Sequence, residues 1–176
     1  KNKSVSCFSC LQTYYTRRNI MEDVMNVAAY ITNRYLVEYN QPIDEMKLHK
    51  LMYFAQRESF IQANQPLFNA TFYGWKYGPI LKEIRSAYKD GTMILAKPQK
   101  FNCDPKSLFD RIFEDYAGKD SWSLSRLTHG ELSWKNSRVG IPEEANSDNP
   151  MSTDDIRKDA DRIRARRNML TQLGLA

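Results

Sequence analysis

The sequence predicts a mainly α fold: a compact bundle of five or six helices with at most a short two-stranded β element. Two observations carry this. Apolar residues recur at helical spacing in several separate segments. Only seven glycines and seven prolines interrupt 176 residues, of which 41% are hydrophobic and 12% aromatic, enough for a real core. A chain of this length fits one domain, and no internal repeat is visible.

The elements follow in order. Residues 1–20 read as an N-terminal arm or a non-native extension, because the chain opens on Lys1 and Met21 begins the first strongly patterned segment. Residues 21–176 are expected to form the single domain. From Glu22 to Tyr39, Val24, Val27, Ala28, Ile31 and Tyr35 share one helical face. Glu22 and Asp23 put negative charge where the helix dipole favours it, and Asn40-Gln41-Pro42 ends the helix. Asp44 caps a second helix, whose stripe of Leu48, Leu51, Met52, Ala55 and Ser59 is widened by Tyr53 and Phe54. That width predicts a central position.

Asn64 to Gly78 is loop-rich, with Ala70–Tyr73 a candidate short strand. Pro79 suits the first position of a third helix, where its missing N–H costs nothing. That helix carries Leu81, Ile84 and Tyr88 and stops at Gly91. Met93–Ala96 is a candidate second strand. Asp104-Pro105 opens a fourth helix with Leu108, Ile112, Phe113 and Tyr116, ending before Gly118. Ser121–Thr128 reads as a short helix and Val139–Pro150 as a long loop. Ser152 and Asp155 have capping-box spacing for the last helix, which buries Ile156, Ala160, Ile163 and Leu170.

Composition excludes some functions and permits others. No apolar run approaches the ~20 residues of a membrane helix, and the N-terminal segment is too polar for a signal peptide. Three cysteines make no disulfide framework, so the chain reads as cytoplasmic. A net charge of +5 permits an acidic partner, although bases and acids are interspersed. Arg157, Lys158, Arg162, Arg164, Arg166 and Arg167 make the last helix a candidate phosphate contact, offset by Asp154, Asp155, Asp159 and Asp161.

Catalytic signals are thin. Cys7-x-x-Cys10 invites a zinc or redox reading, but Cys103, His49 and His129 are scattered and supply no second ligand pair. His49, between Lys47 and Lys50, reads as a solvated histidine. His129 with Glu131 sketches a general base and its orienting carboxylate; a buried histidine bonded to a backbone carbonyl explains the same residues. No phosphate-binding or dinucleotide motif is present, and no cofactor or metal is called for. The strongest oddity is the cluster Phe68, Phe72, Tyr73, Trp75 and Tyr77, closed by Gly78-Pro79. Phe68 and Phe72 read as core. Trp75 and Tyr77 fit core or interface equally, since both combine apolar area with a polar tip.

The segment from about Met21 to Trp134, with a weaker continuation to Arg138, resembles the Panacea domain of SocA-like, phage-associated antitoxins. The resemblance rests on Val27-Ala28-Ala29-Tyr30-Ile31, then Met46-Lys47-Leu48-His49-Lys50-Leu51-Met52-Tyr53-Phe54-Ala55-Gln56, then Pro66-Leu67-Phe68. It continues through Phe72–Trp75, Tyr77-Gly78-Pro79-Ile80, Leu127, Thr128-His129, Trp134 and Arg138. Two departures are plain: Arg57-Glu58-Ser59 continues the second helix differently, and Ser133 replaces a common proline. The resemblance implies a non-enzymatic antitoxin of a toxin–antitoxin system. It would neutralise the cognate toxin of a neighbouring gene by direct protein binding, or deliver it to a Clp-type protease. Lys50, Tyr53, Trp75, Tyr77, Gly78 and Pro79 are the expected partner-binding residues, and Gln56, His129 and Trp134 the structural family motif. A DNA-binding phage or operon regulator using the basic final helix is the alternative, with nucleic acid otherwise a secondary partner.

Overall fold

The computed structural model describes residues 21–102 and 104–175. Residues 1–20, with Cys7 and Cys10, lie outside that description, as does Cys103. Helices α1 (Val24–Tyr39) and α2 (Glu45–Ala63) lead into a hairpin of β1 (Phe72–Trp75) and β2 (Gly78–Leu81). Then come α3 (Lys82–Lys89), the single turn α4 (Thr92–Leu95) and α5 (Lys106–Ile112), which widens into a π-helical turn at Phe113–Ala117. Helices α6 (Ser121–His129), α7 (Leu132–Ser137) and α8 (Thr153–Gln172) complete the described chain. The result is mainly α with one short antiparallel sheet, as the periodicity implies. No helix among the described residues is long and apolar enough to cross a membrane.

Local chemistry explains the helix starts. Asp23 and Asp44 stand in extended backbone and accept from the N–H of Asn26 and Lys47, each at 2.8 Å. Asn40 and Asn64 close the same two helices in the left-handed region that asparagine tolerates. One apolar cluster runs from Val27 through Phe54 and Phe109 to Ala160, and α2 passes through its centre.

Several sequence expectations are corrected. Glu22 precedes α1 instead of joining it: it bridges Phe68, and its carboxylate accepts from Asn102. Pro79 lies in β2 opposite Gly74, not at a helix start; a strand at a hairpin margin accommodates a residue without an N–H. Residues 92–95 form a helical turn, where a strand was the candidate for Met93–Ala96. Ser152 begins α8 without a side-chain cap: the Asp155 N–H donates to the Ser152 carbonyl at 3.1 Å, and the Asp155 carboxylate turns to Lys158 and Asn136 instead of reaching back. Helix α7 carries too few apolar residues to announce itself; its N-terminus is capped from α8, as described below.

Candidate functional site

Helix α2 is buried almost all round, although its sequence carries Lys47, His49, Lys50, Gln56, Arg57 and Glu58. A buried polar group is tolerable only when paired, and these residues find partners contributed by distant segments. Lys47 donates to the Tyr35 hydroxyl at 2.8 Å. The Gln56 amide clasps the following loop, accepting from Leu67 and Phe68 N–H at 2.9 and 3.2 Å and donating to Phe68 O at 3.1 Å. Arg57 pairs with Glu131 and donates to the Tyr116 hydroxyl, while Glu58 takes both guanidinium nitrogens of Arg167.

The most concentrated set of such contacts converges on the hairpin backbone. On the β2 side, Lys50 Nζ donates to Pro79 O at 3.1 Å, and His49 Nδ1 accepts from Leu81 N–H at 3.2 Å. That bond leaves the neutral imidazole's proton on Nε2, which faces Glu45 at 3.6 Å. At the turn, Ser125 Oγ donates to Tyr77 O at 2.9 Å. On the β1 side, Trp134 Nε1 donates to Trp75 O at 2.9 Å and Arg138 to Gly74 O at 2.9 Å. The chain at 149–151 covers the rest of β1, with Met151 N–H donating to Phe72 O at 2.7 Å. The hairpin therefore offers little free edge for strand addition.

Steric fit tightens the same hold. Gly78 takes φ +103°, and a Cβ there would lie 2.5 Å from Thr128 Oγ1 and 2.6 Å from Lys50 Cε. A Cβ on Gly74 would collide with Ser137 Oγ. His129 stacks on Trp134 at 4.0 Å and 10°, and its Nε2 lies 3.4 Å from Ser125 Oγ. Burial and the nearby Lys50 push His129 below the ordinary histidine range.

The expected partner-binding residues thus divide. Lys50 and Tyr53, placed at the surface by sequence reasoning, are 1% and 0% exposed. Gly78 and Pro79 are buried beneath the turn, and His49, expected to be solvated, is buried as well. The polar atoms of His49 and Lys50 serve the interior because the hairpin, some thirty residues downstream, supplies their partners. Trp75 is half-buried beneath Arg85, whose guanidinium carbon lies 4.8 Å from its ring centroid. Tyr77 is 43% exposed at the tip. Gln56 and Trp134 are embedded in the hydrogen bonds just described, and Phe68 and Phe72 are core residues.

One residue was missed as a site candidate. Trp122, on the outer face of α6, is 55% exposed and meets Tyr77 edge-to-face at 5.1 Å and 84°. Its helical neighbours Arg126 and Leu127 are exposed too. The sequence groups Trp122 with Leu124 and Leu127 as the apolar residues of this short helix, but only Leu124 is buried.

A second polar cluster lies beneath α8. The buried Asp159 carboxylate accepts from Leu132 and Ser133 N–H at 2.8 and 2.9 Å, capping α7 from another helix. Tyr53 Oη bonds Ser133 Oγ at 2.9 Å and donates to Asp159 at 3.3 Å. Burial, reinforced by Asp159, pushes the Glu131 carboxyl up to about 7 against the pull of Arg57 and Arg162. Glu131 therefore faces arginines and does not orient His129. On α8, Arg157, Lys158, Arg162, Arg164 and Arg167 each pair with a carboxylate.

Comparison with curated proteins and with solved structures returns no match. A family model described as "Antitoxin SocA-like, Panacea domain" matches residues 48–135, from the first turn of α2 into α7 and so across the whole hairpin and most of its supports. The chain belongs to the SocA-like antitoxin family, as a Panacea-domain protein.

Proposed function

We propose that this protein is an antitoxin that neutralises the toxin of a neighbouring gene by direct protein contact, with the hairpin tip and the outer face of α6 as the contact surface. The observation that carries this reading is the exposed Tyr77–Trp122 pair, mounted on a backbone held by Lys50, His49, Ser125, Trp134 and Arg138. Tyrosine, tryptophan and arginine dominate binding hot spots, and a tip already fixed before docking loses little entropy on binding. Lys50, Tyr53, Gly78 and Pro79 then act as supports that hold the surface in place, not as contacts. Trp75 contributes at the margin.

The other functional classes receive less support. Glu131 is engaged by Arg57 and Arg162, and Ser125 donates to a backbone carbonyl, so neither stands ready to act with His129 in catalysis. The ion pairs along α8 leave no free row of cations for phosphates.

The test is growth rescue: the neighbouring gene is expressed alone, then with this protein. Toxicity relieved by co-expression supports the antitoxin role, and co-purification of the two chains supports direct contact. Rescue that vanishes in a host lacking Clp-type proteases would replace direct neutralisation with delivery for degradation.

A further inference from the structure

The charges around the aromatic pair specify a partner chemistry. Trp122 has Lys119 three residues before it and Arg126 four residues after it. The Arg126 guanidinium donates to Ser123 Oγ at 3.0 Å, and Lys119 Nζ donates to the Asp115 backbone carbonyl at 2.6 Å. Neither cation has a carboxylate partner among the described residues, in contrast with the arginines of α8 just described. Several acids of this region are already committed: Asp120 accepts from Ser123 N–H at 2.9 Å and Ser123 Oγ at 2.6 Å, Asp44 accepts from Ser121 Oγ at 2.6 Å and Lys47 N–H, Asp115 faces Arg111 and Arg167, and Glu144 pairs with Lys76 beside Tyr77. Arg126 lies one helical turn beyond Trp122, and Lys119 immediately precedes the Asp120 cap of the same helix. A partner that covers Trp122 and extends along α6 in both directions desolvates both cations, which is costly unless it supplies carboxylates.

We infer that the contact surface takes an acidic protein segment carrying an apolar anchor: the anchor packs against Tyr77, Trp122 and Leu127, and flanking carboxylates meet Lys119 and Arg126. This inference rests on the proposed direct contact with a toxin and adds the chemistry of the bound segment. Single-stranded nucleic acid would also seek aromatic rings and cations, but successive bases need parallel stacking platforms. The Tyr77 and Trp122 rings stand at 84° to each other.

The experiment uses random dodecapeptides displayed on phage, selected on the immobilised full chain and counter-selected on a Tyr77→Ser/Trp122→Ser variant shown to melt like the parent. The expected result is enrichment of peptides with Asp or Glu flanking an aromatic or leucine anchor. Their affinity should fall by about tenfold on a Lys119→Glu/Arg126→Glu variant. Enrichment of basic or neutral peptides, no enrichment over the counter-selected variant, or affinity unchanged by charge reversal would overturn the inference. Tighter binding of oligo(U) than of any selected peptide would assign the face to nucleic acid and overturn it as well. Because no toxin enters this assay, failed growth rescue with an acidic consensus would count against the antitoxin reading alone. Successful rescue without an acidic consensus would count against the charge chemistry alone.

Discussion

Replacing Lys50 with methionine tests whether the amine that holds the hairpin is buried as described. Burial lowers its pKa from the ordinary 10.5 to about 7. Between these values the unfolded chain binds a proton that the folded chain does not, so stability rises with pH across that window. The penalty is fully present below pH 7 and fades as pH approaches 10.5. Worked from the two values, the gain between pH 7 and pH 9 is about 2 kcal/mol, or about 4 to 8 °C in Tm for a domain of this size. In Lys50→Met that slope disappears. The variant also leaves Pro79 O without its donor, costing about 1 to 3 kcal/mol at every pH. Urea unfolding of both proteins, followed by circular dichroism from pH 7 to pH 9, isolates the Lys50 contribution, because groups common to both cancel in the difference. Two parallel stability curves would refute the reasoning: the lysine would then keep its ordinary titration, and the hairpin would be held by other contacts.

Further perturbations address the supports separately. Gly78→Ala adds left-handed strain to a clash with Thr128 and Lys50, and should destabilise by about 2 to 4 kcal/mol; an unchanged melting temperature would contradict the turn geometry. Ser133→Pro removes the N–H given to Asp159 and the hydroxyl bonded to Tyr53. It should lower the urea midpoint by an amount equivalent to about 2 to 3 kcal/mol, whereas unchanged unfolding would show that Asp159 does not cap α7.

Much of the helical framework was legible because its signals are local. Asp44 caps where its spacing to the apolar stripe requires, Asp23 caps a first helix that starts two residues later than Glu22 suggested, and the breadth of the α2 stripe announced a central helix. The hairpin was only half legible. Ala70–Tyr73 suggested a strand, but Pro79 taken alone favours a helix start, and only pairing across Gly74 makes it a strand residue. His49 and Lys50 read as solvated or surface residues because their partners, Leu81 N–H and Pro79 O, lie about thirty residues away. Helix α7 escaped notice because the carboxylate that starts it belongs to α8.

The departures from the family pattern also gain a physical sense. Ser133, where a proline is common, supplies the N–H that Asp159 accepts, and proline has none to give. Arg57 and Glu58 reach Glu131 and Arg167, tying α2 to the α6–α7 junction and to α8. These residues lie within the matched family segment, and through Asp159 and Arg167 they join it to α8, which lies beyond it.

The central claim is that Tyr77 and Trp122 contact the toxin while the buried motif residues hold them in place. It is tested most directly by the Tyr77→Ser/Trp122→Ser variant, co-expressed with the neighbouring gene product that the unaltered protein neutralises. As exposed side chains they should change stability by only about 0.5 kcal/mol or less. The expected variant melts like the parent, no longer relieves toxicity and no longer co-purifies with the toxin. Full rescue by that well-folded variant would place the toxin on another surface.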